Sequence, residues 1–468
     1  MSASAVDEKD GADGRPATGA VRRHAAPPAG GRLRRTAVSV GLLGLSQVGV
    51  TLAAFGTQIV LARTLPQVEF GFLMTVLSLI SLTAPLAVAG VPELWLQVFG
   101  REGAAAFRWV RRSLWLVLGG TAVLAAVLVG WGVLEGVQTT HGSVRIMLAS
   151  VVLSQAAASC AASALQLQGR YSAVAILQFL PHVGRISVVL LAWWLDLSLF
   201  GVALGYAATA LVAVVPCLVV LRPFWTGRTR LEGHGLVRAG GAPPQAWRAL
   251  VAAASPFMLG NVFYLVGMNG GTVVIGEFLS PEAAALMAVP MSVLAAVYLI
   301  PRVVFQQFLL GKLHRWSSSD NEAVLMAYRF GSTGMLAFGT VIAVLVGAVG
   351  WFGIPVVFGG EYQESVAVMA VLAAAIPLRF AGAGVASLLT TGGLLRRKVV
   401  YQGIGAGIYV VGLIVTLPLY GMLGGAIATV VAEAALFGMF WQEVVRNVVA
   451  GAPVPSWAQI RKRLTRDG

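Results

Sequence analysis

Charged residues are scarce in this sequence. Asp, Glu, Lys and Arg make up 11% of its 468 residues, whereas a soluble domain carries about 25%. Hydrophobic residues make up 57%, and the mean hydropathy is +0.82. One soluble core could not bury that much apolar surface. The composition therefore excludes an ordinary soluble protein and predicts a protein whose solvent is lipid.

Cysteines and nucleotide-binding or hydrolytic motifs are also lacking. Cys160 and Cys217 lie inside apolar runs, which favours small buried hydrophobes over a disulfide or a metal site. The pair Gly311-Lys312 lacks the upstream glycines of a P-loop. HExxH, CxxC and GxSxG are absent, and no loop is long enough for a soluble catalytic domain. These absences argue against an enzyme, and we expect no catalytic residue, metal or cofactor.

Long apolar runs predict an all-α polytopic membrane protein. A helical crossing needs roughly 20 apolar residues, and the alternation of an outer-membrane barrel is missing. We count about twelve transmembrane helices. They lie at about 37–62, 70–98, 114–134, 145–168, 173–194, 198–221, 249–277, 283–310, 327–357, 364–390, 398–418 and 421–443.

The spans divide the chain into two bundles of six helices each. These are residues 36–222 and 248–445, joined by a hydrophilic linker, 223–247. Residues 1–35 lack apolar periodicity and predict a disordered cytoplasmic tail. Residues 446–468 form a basic cytoplasmic tail.

The two bundles share a sequence echo. Gly56–Leu73 and Gly271–Met287 each end one apolar run, cross a polar turn and begin the next run, at an offset of 214. Gly201–Gly205 and Gly421–Gly425 repeat at an offset of 220. Chance similarity between apolar helices is the alternative. We favour a duplication, which predicts two bundles related by a pseudo-two-fold repeat around a central cavity.

The basic residues lie almost entirely on one side of the predicted membrane. Between the spans and at the termini, 28 of them fall on the side of the N-terminus and two, Arg63 and Arg145, on the other. Cytoplasmic loops carry the excess of Lys and Arg. We therefore predict a multi-pass protein of the cell (plasma or inner) membrane with both termini cytoplasmic. This placement explains the net charge of +14 without a nucleic-acid partner.

Three arginines, Arg185, Arg302 and Arg379, fall inside spans. Each would cost about 2.5–3.5 kcal/mol at a bilayer centre, so we expect all three to face an interior containing water or counter-charge. Acids are fewer there, namely Glu93 and Glu433. Three arginines against two acids predict a cationic cavity. Structural ion pairs, such as Glu433 with Arg379, are the alternative.

Two interhelical junctions carry recognisable motifs. The first is Ile59-Val-Leu-Ala-Arg63, followed by Leu65 and Glu69-Phe-Gly71. The second is the turn Val357-Phe-Gly-Gly-Glu361-Tyr362. Together with the span count, they resemble bacterial polysaccharide and O-antigen (oligosaccharidyl-lipid) flippases of the MATE-like MOP exporter superfamily. The resemblance covers about 36–445.

The resemblance implies a flippase that moves a polyprenyl-pyrophosphate-linked oligosaccharide from the inner to the outer leaflet by alternating access. Such export serves cell-surface polysaccharide biosynthesis, including lipopolysaccharide. Arginine forks suit phosphate oxygens. The candidate residues for binding the anionic headgroup are Arg185, Arg379, Arg302, His182, Asn261 and Asn269. Glu93 and Glu433 are the candidates for coupling to H⁺ or Na⁺.

The partners implied are the lipid-linked oligosaccharide, the bilayer and the glycan polymerase or assembly proteins. A lipid II flippase or a MATE-type drug/cation antiporter on the same fold is the alternative. A membrane glycan polymerase is a further alternative. A polymerase would need a catalytic loop with paired acids.

Overall fold

The structure is a computed structural model that describes residues 29–232, 235–238, 243–303, 325–326, 328–389 and 394–449. Helices make up nearly all of it. The N-terminal half contains α1 (Ala29–Thr64), α2 (Gln67–Val88), α3 (Val91–Glu102), α4 (Phe107–Glu135), α5 (Thr140–Leu167), α6 (Tyr171–Leu195) and α7 (Leu199–Trp225). A short 3₁₀ turn, Gly103–Ala106, links α3 to α4.

The described part of the C-terminal half is also helical. Its helices are α8 (Trp247–Phe278), α9 (Pro281–Val297), α10 (Leu299–Arg302), α11 (Met335–Phe358), α12 (Ser365–Ala373), α13 (Ala375–Leu388), α14 (Leu395–Tyr420) and α15 (Met422–Val444). π-Helical turns, Phe330–Gly334 and Val445–Val449, precede α11 and follow α15. A 3₁₀ turn, Gly360–Tyr362, precedes α12.

Most of the described helices are long and apolar enough to cross a membrane. Ten segments qualify, or eleven with the bent pair Ser365–Ala373 and Ala375–Leu388, which meet at 41°. One of the ten, Gln67–Glu135, has 69 residues, about 100 Å of helix, and contains two crossings, α2 and α4. The predicted all-α polytopic architecture is confirmed.

Two boundaries differ from the sequence prediction. Helix α1 begins at Ala29, so the last residues of the predicted disordered tail are helical, and residues 1–28 lie outside the described part. The linker contains an antiparallel hairpin, β1 (Arg228–Leu231) paired with β2 (Gly235–Arg238). The Glu232 amide at the end of β1 donates to the Leu167 carbonyl at 2.9 Å. Most of the basic tail, residues 450–468, lies outside the described part.

Local chemistry sets the short turns between the helices. Pro66 precedes α2, and Pro281 occupies the first turn of α9, where a missing N–H costs no hydrogen bond. The Ser280 hydroxyl accepts from the Ala283 amide at 3.1 Å, and Thr139 caps α5 in the same way at 3.0 Å. We call the end of the bundle that carries these turns the turn end. The opposite end, which carries the β-hairpin, is the hairpin end.

The two halves meet along α2, α8 and α9. A Cβ added to Gly71 on α2 would lie 1.7 Å from the Pro281 carbonyl oxygen and 3.0 Å from the Ala285 amide nitrogen. The sequence offset of 214 maps Gly71 onto Ala285. This pair of residues, equivalent under the repeat, therefore lies in contact, as expected close to a two-fold axis.

The second span contains a break. Helix α2 ends at Val88. Ala89 (φ 50°) and Gly90 (φ 71°) follow it, and α3 begins at Val91. Gly90 lies directly on α8, since a Cβ there would be 2.5 Å from the Ala254 carbonyl oxygen. Only glycine combines this conformation with this close approach. The break places Glu93 of α3 against the C-terminal half.

Candidate functional site

The first cavity, of about 160 Å³, lies mostly within the N-terminal half. Helix α6 contributes His182 and Arg185, α7 contributes Tyr206, and Asn269 of α8 reaches it from the other half. Three of the predicted headgroup residues therefore line one space. Serine and glutamine side chains from α2 and α5 complete its polar wall: Ser78, Ser81 and Gln155.

Arg185 keeps its charge unneutralised in this cavity. Its guanidinium carbon lies 5.5 Å from the ring centroid of Tyr206, a cation–π contact. No carboxylate of the described residues lies within 4.0 Å of it. Pro181 removes an amide from the turn before, and Gly184 lets α6 pack on α7, since a Cβ there would meet Thr209 at 2.3 Å. Both features bring Arg185 beside Tyr206.

The second cavity, of about 230 Å³, lies between α1 and the α8–α9 pair. Tyr264, Tyr298 and Arg302 line its C-terminal side. Ala54 and Gln58 of α1 line both cavities, so a single turn of α1 separates them. Arg302, a predicted headgroup residue, is exposed and has no carboxylate partner among the described side chains.

Arg379 is held beside the second cavity by an ion pair. Its Nη1 lies 2.5 Å from Oε1 of Glu433, and both side chains are largely buried. The guanidinium stacks on Tyr264 at 4.7 Å and on Tyr298 at 5.3 Å. The pairing named above as the alternative is thus present for these two residues. Arg379 brings no net charge to the cavity, whereas Arg185 and Arg302 do.

Glu93 and Asn261 lie apart from both cavities. The Asn261 amide donates to Oε1 of Glu93 at 3.0 Å, so the two side chains join α3 to α8. Neither residue lines the first or the second cavity. The geometry gives them an interhelical contact rather than a place at the headgroup residues.

The turn end is closed by contacts between the halves. Nε of Arg63 donates to the Val357 carbonyl at 2.7 Å, and Nη2 donates to the Val356 carbonyl. The Tyr362 hydroxyl donates to the Ala62 carbonyl at 3.3 Å. These bonds tie the end of α1 to the last turn of α11 and to the 3₁₀ turn that follows it. These contacts hold the two halves together at this part of the turn end.

Arg145 adds a buried ionic contact at the same end. It pairs with Glu135 of α4 and Glu277 of α8, each at 2.9 Å, and lies 4.1 Å from the Trp131 ring. Only 3% of its side chain is exposed. The sequence placed Arg145 in an outer loop and gave no sign that it joins the two halves.

Sequence reasoning missed the uncharged residues of the site. Gln58, Tyr264 and Tyr298 line the second cavity, and Tyr206 supports Arg185. Gln58 lies within the Gly56–Leu73 echo, and a polar side chain in an apolar span was the available signal. The tyrosines gave none, because aromatic residues are common in spans. Among the described residues, no three His, Cys, Asp or Glu side chains meet as a metal site would require.

Several solved structures share this fold. The lipid II flippase MurJ, in an inward closed conformation, superposes with a TM-score of 0.65 at 9% identity, covering 87% of this chain and 89% of MurJ. An inward-facing multidrug resistance MATE transporter of the MOP superfamily gives 0.60 at 14% identity, over 86% and 95%. A MOP superfamily transporter from Pyrococcus furiosus gives 0.54 at 12% identity, over 90% and 96%. At these identities the likeness establishes the two-lobed fold alone.

The sequence itself matches a family. A search of curated proteins finds no significant match. The profile of the polysaccharide biosynthesis protein family matches residues 37–311, more than half of the chain, and this confirms the resemblance seen in the span junctions. The chain therefore belongs to the polysaccharide biosynthesis protein family, as a multi-pass membrane protein with the two-lobed fold of MOP superfamily transporters.

Proposed function

We propose that this protein is a flippase that moves a polyprenyl-pyrophosphate-linked oligosaccharide between the leaflets of the cell membrane by alternating access. The main support for this proposal is Arg185. It lines a cavity beside Tyr206 and has no carboxylate partner among the described residues. A pyrophosphate crossing hydrocarbon needs a paired positive charge, because burying an unpaired charge is prohibitive. An unneutralised guanidinium provides that pairing in bidentate form.

The charge asymmetry supports an orientation with the hairpin end in the cytoplasm. The 28 basic residues of the predicted cytoplasmic segments include those of the hairpin. The turn end then faces the outer leaflet, where Arg63, Arg145 and Tyr362 hold the halves together. In this orientation the structure corresponds to a state closed to the outside. Substrate would enter from the inner leaflet, and the contacts at the turn end would break for release.

The balance of charge favours an anionic over a cationic substrate. Arg185 and Arg302 have no acidic partner among the described residues, whereas Glu433 is already paired with Arg379. A drug/cation antiporter needs uncompensated acids in its cavity, and the described cavities lack them. The family match also points to glycan synthesis. We therefore place the cation antiporter below the flippase.

We assign ion coupling, by H⁺ or Na⁺, to Glu433 rather than Glu93. Glu433 lies beside the second cavity through Arg379, so a substrate group that accepts hydrogen bonds from Arg379 would weaken its pairing with the carboxylate. Glu93 is held by Asn261 away from both cavities. A carboxylate that binds the ion more tightly when substrate is present couples the transport of the two.

Reconstitution tests the proposal directly. Purified protein in vesicles containing a fluorescent polyprenyl-pyrophosphate glycolipid should translocate it faster than protein-free vesicles. Arg185→Gln should slow translocation at least about tenfold, equivalent to 1.4 kcal/mol of lost stabilisation, with Arg111→Gln, at the hairpin end of α4, as the matched surface control. Equal rates with and without protein would refute the flippase. Labelled lipid II in parallel vesicles separates the two lipid substrates, and preferential movement of lipid II would favour that alternative.

A further inference from the structure

The second cavity has the chemistry of a carbohydrate site. We propose that it is the subsite for the first sugar of the lipid-linked glycan, and that it binds the pyranose ring while the pyrophosphate lies at Arg185. This inference rests on the proposed function and extends it to a specificity-determining site. It assigns Gln58, Tyr264 and Tyr298 the recognition of sugar, as distinct from phosphate.

Unpartnered polar atoms mark the walls of this cavity. Oε1 of Gln58 and the hydroxyl of Tyr298 are buried and have no hydrogen-bond partner among the described residues, and both side chains line the cavity. Nη2 of Arg379, which stacks on the same tyrosine, is buried and unpartnered as well. Buried polar groups are normally hydrogen-bonded. Two such atoms on side chains that line the cavity, with a third on the guanidinium packed against Tyr298, indicate a ligand, or water in its place, that both donates and accepts.

The aromatic rings add the second requirement of a sugar site. Tyr264 and Tyr298 both line the cavity, and Tyr264 keeps 39% of its surface exposed. The C–H faces of a pyranose pack on aromatic rings, while its hydroxyls need hydrogen-bond partners. A purely apolar lipid tail would leave the hydroxyl of Tyr298 and Oε1 of Gln58 unsatisfied. A phosphate would accept from the hydroxyl but would be repelled by the amide oxygen. A sugar satisfies both.

The two cavities are placed as the linkage requires. Ala54 and Gln58 line both, so a group bonded to a phosphate at Arg185 needs to pass only one turn of α1 to enter the second cavity. The charge is divided in the same way. Arg185 is partly buried and uncompensated in the first cavity. At the second cavity, by contrast, Arg379 beside the tyrosines is neutralised by Glu433, and the uncompensated Arg302 is exposed to solvent. The pyrophosphate therefore prefers the first cavity, and the uncharged ring prefers the second.

The test measures binding of two probes to the full-length protein in lipid nanodiscs. The probes are polyprenyl pyrophosphate and the same lipid bearing one N-acetylglucosamine. The wild-type protein should bind the sugar-bearing probe about tenfold more tightly. Tyr298→Phe removes only the unpartnered hydroxyl, and Gln58→Leu removes only the amide. Each should reduce that preference to about two- to threefold. Tyr298→Phe should leave the affinity for polyprenyl pyrophosphate unchanged, because Tyr298 lies outside the first cavity.

A matched control separates recognition from folding. The Tyr409 hydroxyl is also buried without a hydrogen-bond partner among the described residues, but Tyr409 lines neither cavity, so Tyr409→Phe should keep the full preference. Equal wild-type affinity for the two probes would overturn the sugar subsite and leave the flippase standing. Wild-type protein that binds neither probe would overturn the flippase. Variants that lose affinity for both probes in parallel would show that these residues only support the fold.

Discussion

Arg145 of α5 and Glu277 of α8 form an ion pair of 2.9 Å that joins the two halves of the protein at the turn end. Glu135, on the neighbouring helix of the same half, pairs with the same arginine at the same distance. The Arg145 guanidinium therefore makes two ion pairs. The pair with Glu277 must break when the halves separate, whereas the pair with Glu135 can stay intact. This difference makes Glu135 a natural control for Glu277.

We predict that Glu277→Gln opens the turn end, while Glu135→Gln leaves it closed. Removing the acid across the interface leaves Arg145 without its interhalf charge, which should raise the open-to-closed ratio at least about tenfold. Spin labels at Val137→Cys and Phe278→Cys, both exposed on opposite halves, would report a longer-distance population by pulsed electron paramagnetic resonance. Identical distance distributions in both variants would contradict this role.

Gly71 and Gly56 form a second matched pair. Gly71→Ala should lower the free energy of unfolding by about 1–3 kcal/mol, because the new methyl would lie 1.7 Å from the Pro281 carbonyl oxygen. Gly56 has nothing within 4 Å of its Cβ position, so Gly56→Ala in α1 should be neutral or stabilise by up to about 1 kcal/mol. Denaturant unfolding in detergent would measure both. Equal effects would show that the α2–α9 contact adapts to the methyl.

The Arg379–Glu433 pair should behave as a coupled unit. Glu433→Gln leaves a buried, unpaired guanidinium and should cost about 3–5 kcal/mol of stability. The double variant Arg379→Gln/Glu433→Gln should lose less than the sum of the single losses, since neither charge is then stranded. Thermal or denaturant unfolding of the four proteins would give the coupling energy. Additive losses would mean that the pair contributes nothing as a pair.

Dependence of transport on an ion gradient should also separate the two acids. Vesicles carrying Glu93→Gln should keep a translocation rate that responds to a proton or sodium gradient, because a glutamine oxygen can still accept from Asn261. Glu433→Gln should remove the response. The rate is measured with and without the gradient at equal protein content. A response that survives in Glu433→Gln and disappears in Glu93→Gln would reverse our assignment.

Orientation can be tested by cysteine accessibility. Val137 lies at the turn end and Leu236 on the β-hairpin, and both are exposed. A membrane-impermeant maleimide should label Val137→Cys in intact spheroplasts, and Leu236→Cys only after permeabilisation. The native Cys160 and Cys217 are buried and should give little background. The opposite pattern would invert the topology.

The span pattern was predictable because lipid imposes it. Each crossing needs an apolar run of a known length, and Pro66 and Ser280 mark where runs end and begin. Helix α1 begins at Ala29, before the predicted span, since the apolar criterion detects only the part of a helix in hydrocarbon. The two strands of the linker hairpin have four residues each, too few for a recognisable alternation of polar and apolar residues.

The chemistry of the site was only partly predictable. Arginines inside spans are costly and therefore conspicuous, and Arg185 and Arg302 do line cavities. Which arginine keeps its charge depends on how α13 packs on α15, which the sequence does not state. Tyr298 and Gln58 are uncharged, so no desolvation cost drew attention to them.

The contacts of Arg63 and Tyr362 across the turn end have a consequence for sequence variation. Their acceptors are the main-chain oxygens of Val356, Val357 and Ala62, which every amino acid possesses. The side chains at these three positions can therefore be substituted without loss of the hydrogen bonds, provided the helix ends stay in place. The two donor side chains cannot be replaced in this way, so each half contributes one constrained side chain, Arg63 or Tyr362, and main-chain acceptors whose side chains are free to vary.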